Sequence, residues 1–288
     1  VVTLLGNLKW FVLLRSQVID LDFKRSFWIY YMGYTFNYFL PGGVAGDVVK
    51  TGYIIKEGGK KSNSVLSILI DRIMGVFSMM LLIATLLPFF LNYLLNNDLE
   101  FINHYSFLIP YIIFVIALSS GLLAIFFYIL RNKILYKKLL SFFRKKKQKS
   151  RSHEIILSVI KALFLYRNSV SAIVQNILIA AFIQILIGYC LFVIGSYILS
   201  GNESTVLSNI ISSTITQLIS IIPISPGGIG IGEAAFGKSM YYLNNKTLMS
   251  YATIYLIYRI YNIIFGVPAI AMFIFKRSKA KSNHKLFT

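Results

Sequence analysis

The stretch FNYFLPGGVAGDVVK at residues 36–50 breaks an apolar segment with a Pro-Gly-Gly turn. Proline ends a helix because it lacks an N–H group and clashes with the preceding turn, and glycine allows backbone angles that other residues avoid. The apolar run 27–40 therefore ends at Pro41, and a second run continues to residue 55. Basic residues flank both ends, which favours the same side of a membrane for both. The pattern predicts a re-entrant hairpin of two short helices.

A second break, IPISPGGIGIGEAAF at residues 222–236, has the same design. PGGIGIGE at 226–233 repeats the Pro-Gly-Gly turn and the Gly-acid pair of PGGVAGD at 41–47. An arginine in or beside an apolar span follows each acid at almost the same spacing, Arg72 after Asp47 and Arg259 after Glu233. The loop before this second hairpin carries no Lys or Arg and is expected outside, and the span after it ends at the basic segment from Lys276, so it must start outside as well. Paired broken segments with opposite orientation predict an inverted repeat around a midplane site, as in transporters.

These patterns predict an all-α fold, a polytopic membrane bundle with two opposed re-entrant broken-helix hairpins. We expect a single membrane domain over 1–288. Its first half-repeat is 1–91, its connecting helix and basic loop are 107–167, and its inverted second half-repeat is 169–276. The chain begins Val-Val without a signal-peptide pattern, which favours a trimmed start.

Composition supports a membrane protein and excludes several other classes. Of the 288 residues, 57% are hydrophobic and 14% charged, and the mean hydropathy is +0.70. Soluble domains average about 45–50% apolar and about 25% charged residues. A soluble domain and a disordered chain are therefore excluded, and the one cysteine excludes a disulfide scaffold. Uncharged runs at 73–91, 107–130 and 168–202 are long enough for spans.

The net charge of +19 lies in clusters between apolar runs, the distribution that the positive-inside rule produces and not that of a nucleic-acid-binding domain. Four basic segments are expected in the cytoplasm: 15–25, 50–61, 131–167 and 276–288. Two segments without Lys or Arg are expected outside: 92–105 and 200–209. The loop 131–167 is strongly basic and holds a single acid, which also suits contact with anionic lipids. The expected location is a prokaryotic plasma membrane.

The two breaks and their arginines define the candidate site. Broken helices persist in a membrane only when they are buried in protein or line a wet cavity. Their second halves begin near 45–47 and 229–233, where free N–H groups and the helix dipole would favour an anion such as a lipid phosphate. The candidate substrate-binding residues are Pro41, Gly42, Gly43, Gly46, Asp47, Asp71 and Arg72, and in the second half Pro226, Gly227, Gly228, Gly230, Gly232, Glu233 and Arg259.

The charged members of this set have two interpretations each. Asp47 and Glu233 either cap their helices or face the cavity. Asp71 and Arg72 either anchor the end of a span at the interface or contribute to the site. Arg259, inside an apolar span, either pairs with Glu233 or binds phosphate, for which its planar fork is suited. The sequence predicts no metal site and no cofactor, because its histidines are scattered and its one cysteine lies in an apolar run.

Three segments together resemble the lysylphosphatidylglycerol synthase transmembrane-region family of flippase-like membrane proteins: 36–50, SILIDRIMGV at 67–76, and 222–236. The resemblance covers nearly the whole chain in the family's order. It implies the lipid-translocating half without the soluble lysyl-transferring domain, since the sequence continues only briefly beyond Lys276.

The favoured function is a flippase for a phospholipid or a polyprenyl-phosphate-type lipid. One alternative is a membrane-embedded headgroup transferase similar to a phosphatidylglycerol lysyltransferase, although no catalytic constellation is visible and an enzyme is not favoured. Another is a non-transporting accessory subunit of an envelope glycosyltransferase. The expected partners are a lipid with a phosphate headgroup and a glycosyltransferase or lipid synthase, and not a nucleic acid.

Overall fold

The computed structural model describes residues 1–17, 19–39, 45–97, 169–198, 204–221, 228–244 and 248–285, with residue 225 and isolated positions between 117 and 166. Eight helices are bounded within these ranges: α1 (Val2–Ser16), α2 (Phe23–Phe39), α3 (Ala45–Lys56), α4 (Lys61–Asn97), α5 (Val170–Ile198), α6 (Val206–Ser220), α7 (Ile231–Asn244) and α8 (Leu248–Lys285). The described residues form no strand, which confirms the predicted all-α class.

Both predicted breaks separate pairs of short helices. In the first, α2 ends at Phe39 and α3 begins at Ala45, while α6 ends at Ser220 and α7 begins at Ile231. Gly228 and Gly230 have φ angles of +73° and +82° in the second break, a left-handed conformation that glycine adopts without strain. Pro41, Gly42, Gly43, Pro226 and Gly227 lie outside the described residues.

The helices pack in two corresponding sets. Helix α2 packs against α3 as α6 packs against α7, and α1 contacts α2 as α5 contacts α6. Each long helix that follows a pair contacts it, α4 with α3 and α8 with α7. The two sets also contact each other. Helix α2 of the first set contacts α8 of the second, and α6 of the second set contacts α4 of the first. Corresponding elements of the two sets therefore have corresponding neighbours.

Three described helices contain stretches long and apolar enough to cross a membrane: Lys61–Leu86, Val170–Ile198 and Ser250–Ile274. Large apolar side chains such as Leu178 on α5 and Ile264 on α8 lie exposed, which suits contact with lipid. The predicted span 107–130 and the loop 131–167 lie outside the described residues, apart from isolated positions.

Helix α4 begins well before the uncharged run that predicted its span. The uncharged run 73–91 places Asp71 and Arg72 just outside a span, at the interface. The helix instead begins at Lys61, and its membrane-crossing stretch includes both residues. Both side chains form ion pairs with residues on neighbouring helices, Asp71 with Lys9 on α1 and Arg72 with Asp47 on α3.

Apolar clusters hold the helices together. Leu13, Leu66, Ile70 and Ile173 form a buried cluster where α1, α4 and α5 meet. A second cluster joins α5, α7 and α8 through other apolar and aromatic side chains, including Leu191, Phe236, Met240 and Tyr251.

Candidate functional site

The first charged pair joins the start of α3 to the membrane-crossing stretch of α4. Asp47 is the third residue of α3 and is buried. Its Oδ2 contacts Nε of Arg72 directly, and its Oδ1 lies 3.9 Å from Nζ of Lys50. The side chain of Arg72 remains 41% exposed. Asp47 therefore pairs with two cations, and one of them, Arg72, is partly exposed.

The second pair occupies the equivalent place in the other half. Glu233 is the third residue of α7, and its Oε1 lies 2.8 Å from Nη1 of Arg259 on α8. Nη1 also donates to Oε2 of Glu233 at 3.0 Å, and Nη2 donates to the carbonyl oxygen of Gly228 at 2.9 Å. The side chain of Arg259 is only 6% exposed. In this conformation Arg259 pairs with Glu233, which is one of the two roles that the sequence allows for it.

The near-equal spacing from acid to arginine in the two halves thus corresponds to two matched ion pairs. Each acid lies in the first turn after a break, where the helix dipole favours a negative charge. Each arginine lies on the long helix that follows. The two pairs differ in exposure, since Arg72 is accessible and Arg259 is enclosed by Glu233 and Gly228.

A cavity of about 410 Å³ lies between the two halves, and both arginines line it. Helices α1, α2, α4, α5, α6 and α8 contribute to its walls. Pockets for small ligands usually measure about 300–1,000 Å³, so the cavity is large enough to hold a small ligand. Its charged and amide lining consists of Lys9, Asn37, Arg72, Gln184, Gln217 and Arg259.

Tyrosines provide much of the remaining lining: Tyr30, Tyr34, Tyr38, Tyr255 and Tyr258. The hydroxyl of Tyr34 donates to Oδ1 of Asn262 at 2.6 Å and lies 3.1 Å from the hydroxyl of Tyr38. Gln184 and Gln217 bond to each other across α5 and α6 at 2.6 and 3.1 Å. These groups give the cavity a hydrogen-bonding wall between its two arginines.

Asp71 belongs to a separate network beside the cavity. Its Oδ1 lies 3.2 Å from Nζ of Lys9 and accepts a hydrogen bond of 2.9 Å from Nδ2 of Asn176. Nδ2 of Asn176 also donates to the carbonyl oxygen of Lys9 at 3.2 Å. Asp71 therefore connects α1, α4 and α5, and it fixes Lys9 at the cavity wall without lining the cavity itself.

The helix starts differ from the expectation of free N–H groups. The amide of Gly46 donates to Oδ1 of Asn37 at 2.9 Å, and the amide of Gly230 donates to Oε2 of Glu233 at 2.8 Å. Glu233 thus caps its own helix from the third position, as in a capping box. A side chain therefore occupies one amide at each of these two helix starts.

The described glycines have two different roles. A Cβ atom on Gly46 would overlap the carbonyl oxygen of Gly33, so the absence of a side chain lets α2 and α3 touch. A Cβ on Gly232 would lie 2.7 Å from Nη2 of Arg259 and 2.7 Å from Cε1 of Tyr255. Gly228 lines the cavity, whereas Gly46, Gly230 and Gly232 support the elements around it.

For the flippase that the sequence predicts, Gly228→Val is expected to impair transport more than it lowers expression. Its φ of +73° costs a branched residue on the order of 1–3 kcal/mol, and its carbonyl oxygen would no longer be aimed at Arg259. Liposome transport and detergent-soluble yield are measured together. Gly52→Val serves as the control, because a Cβ on Gly52 would have no neighbour within 4 Å. Equal transport by both variants would mean that the break is only a turn.

The sequence patterns did not identify Lys9 and the tyrosines of α2 as cavity residues, or Lys50 as a neighbour of Asp47. In the sequence, Lys9 and Lys50 resemble interfacial basic residues, and Tyr255 and Tyr258 on α8 resemble packing or aromatic-belt residues. The spacing of Tyr30, Tyr34 and Tyr38 places all three on one helix face, a signal that was available.

Helices of this length and apolarity around a charged internal cavity define a multi-helix membrane protein. The chain belongs to the family described as Lysylphosphatidylglycerol synthase TM region, which it matches over residues 1–269. Searches of curated proteins and of solved structures find no match to the chain.

Proposed function

We propose that this protein is a flippase that moves a lipid with a phosphate headgroup between the leaflets of a membrane. The observation that carries the proposal is the cavity that Arg72 and Arg259 line from the two halves of the chain. Membership of the lysylphosphatidylglycerol synthase TM-region family is consistent with this role. The lipid class is a phospholipid or a polyprenyl-phosphate-type lipid.

The chemistry of the lining supports a phosphate. A guanidinium presents several N–H donors in a plane and binds phosphate oxygens in pairs. Lys9 adds a third cation to the wall, and the tyrosine hydroxyls offer hydrogen bonds to the rest of a headgroup. The acyl chains would remain outside, beside exposed apolar residues such as those of α5 and α8.

The proposed mechanism uses the two helix pairs as opposed re-entrant hairpins. The sequence charges favour entry of α2–α3 from the cytoplasm and of α6–α7 from outside. Matched packing and matched ion pairs in the two halves support an inverted repeat. Movement of one half against the other would open the cavity to each side in turn. The headgroup would pass from one arginine to the other.

The location and partners follow from the same proposal. The protein would lie in a prokaryotic plasma membrane, with the loop 131–167 and the basic tail in the cytoplasm. This loop would bind anionic lipids, and a lipid synthase or glycosyltransferase would supply or consume the transported lipid.

Transport is tested in vesicles of digalactosyldiacylglycerol, which contains no phosphate. Phosphatidylglycerol with a fluorescent label on its acyl chain is bleached by dithionite from the outer leaflet only. The protein should make the inner-leaflet label accessible as well, whereas empty vesicles should keep it protected. Thin-layer chromatography of the recovered lipid checks that it is chemically unchanged. A modified headgroup without transport would favour the transferase alternative.

The topology makes a separate prediction for single cysteines on a Cys190→Ser background. A cysteine at Ser62, in the first turn of α4, should react with a membrane-impermeant maleimide only from the cytoplasm. One at Asn244, the last residue of α7, should react only from outside. Both positions are partly exposed in the structure. Cytoplasmic labelling at Asn244 would overturn the opposed orientation of the hairpins.

A further inference from the structure

Lys50 is a buried cation with an unusual environment. Its side chain is 8% exposed, and its Nζ lies 4.3 Å from the ring centre of Tyr30 and 5.4 Å from that of Trp10. Its stem crosses Gly33 so closely that a Cβ there would lie 2.6 Å from Cγ of Lys50. Aromatic faces attract a cation without neutralising its charge. The ammonium is thus held in place one short movement from a carboxylate.

That carboxylate is Asp47, which already contacts Arg72. The 3.9 Å distance between Nζ of Lys50 and Oδ1 of Asp47 is longer than a hydrogen bond, whereas the contact of Asp47 with Arg72 is direct. Asp47 is buried, so if Arg72 left, the charge of the carboxylate would be balanced by Lys50 alone, and a shorter contact with Lys50 would be favoured.

The other half has a different residue at the matching position. Lys50 and Phe236 follow Asp47 and Glu233 at the same offset, and Phe236 is buried and stacks on Tyr255 with ring centres 5.4 Å apart. If Arg259 left Glu233, the residue at the position matching Lys50 would be Phe236, which cannot pair with the carboxylate. The two ion pairs are matched in place, but only the acid of the first pair has a lysine three residues further along its helix.

We propose that Lys50 is a reserve counter-ion for Asp47, which lets Arg72, rather than Arg259, bind the substrate phosphate in the conformation described. The inference rests on the proposed function and assigns the first phosphate position to the α3–α4 side of the cavity. As phosphate draws Arg72 away, Lys50 moves onto Asp47, and the buried carboxylate stays paired. Lys50 is a positioning residue, since it acts on Arg72 through Asp47.

The test follows the reactivity of Arg72 toward phenylglyoxal, which modifies exposed guanidinium groups. The full chain is treated in a sugar-based detergent with phosphatidylglycerol or with diacylglycerol of the same chains, and modified peptides are quantified by mass spectrometry. In the unsubstituted protein, Arg72 should react faster than the enclosed Arg259. Phosphatidylglycerol should slow the reaction of Arg72, and diacylglycerol should not.

Lys50→Met should fold, because methionine fits an aromatic pocket without bringing a buried charge. It should weaken protection of Arg72 by phosphatidylglycerol by about tenfold, within the usual range for coupled sites. Lys50→Arg should keep protection, because it keeps the charge. Lys50→Met with Asp47→Asn should regain it, because a neutral amide needs no counter-ion.

The outcomes separate the two claims. Absence of any protection by phosphatidylglycerol in the unsubstituted protein would contradict the proposed function, and this inference with it. Full protection in the unsubstituted protein and equal protection in Lys50→Met would overturn the role of Lys50 alone. Failure of Asp47→Asn to restore protection to folded Lys50→Met, with thermal unfolding unchanged, would also overturn it.

Discussion

Arg259→Ala is expected to abolish lipid transport and to destabilise the fold by about 3–5 kcal/mol, the usual cost of leaving a buried charge without its partner. Glu233 would lose the guanidinium that contacts both of its carboxylate oxygens, and the Gly228 carbonyl would lose its donor. Transport in vesicles and thermal unfolding in detergent measure the two effects separately.

The double variant Arg259→Ala with Glu233→Gln separates the structural role from the binding role. Glutamine keeps an acceptor for the amide of Gly230, so the start of α7 remains capped while the charge is removed. Stability should return toward that of the unsubstituted protein, and transport should not. Glu233→Gln alone provides the reference for the loss of the acid.

Recovery of transport in the stable double variant would contradict a phosphate-binding role and would leave Arg259 as scaffolding. Arg259→Lys gives a further comparison, because it keeps the charge but loses the paired donors. Its transport should be reduced without being abolished.

Gly46→Ala is expected to destabilise the protein by about 1–3 kcal/mol and to remove most transport, because the added methyl group would overlap the carbonyl of Gly33. Helices α2 and α3 would have to separate. Asp47 follows Gly46 directly, so its contact with Arg72 would move with the start of α3.

Gly52→Ala is the matched control on the same helix. Nothing lies within 4 Å of a Cβ at this position, and alanine favours a helix over glycine by about 1 kcal/mol. This control should be at least as stable as the unsubstituted protein and should transport normally. Equal stability of Gly46→Ala and Gly52→Ala would mean that the close packing of α2 and α3 is unimportant.

The sequence predicted the breaks well because Pro and Gly act locally. Helix α3 begins at Ala45 and α7 at Ile231, within the ranges expected for the second half-helices. The pairing of Arg259 with Glu233 was one of the two interpretations drawn from the sequence, whereas the pairing of Arg72 with Asp47 was not predicted.

The sequence was less informative about which side chains from different helices contact one another. Lys9 on α1 reaches Asp71 on α4 from a distant part of the chain, and nothing local marks that contact. Asn37 and Glu233 occupy amides that an isolated helix start would leave free. Lys50 has the sequence appearance of an interfacial lysine, and only packing against Trp10 and Tyr30 shows that it is buried.

The most direct test of the account compares two labelled lipids in the same phosphate-free vesicles: phosphatidylglycerol and a digalactosyl lipid with the same labelled chains. Dithionite accessibility is followed for the unsubstituted protein, for Arg72→Ala with Arg259→Ala, and for Lys238→Ala, whose exposed lysine lies outside the cavity lining. We expect the unsubstituted protein and Lys238→Ala to move phosphatidylglycerol and not the digalactosyl lipid, and the double arginine variant to move neither. Movement of both lipids at equal rates, or unchanged movement of phosphatidylglycerol by a folded double arginine variant, would contradict a phosphate-binding flippase.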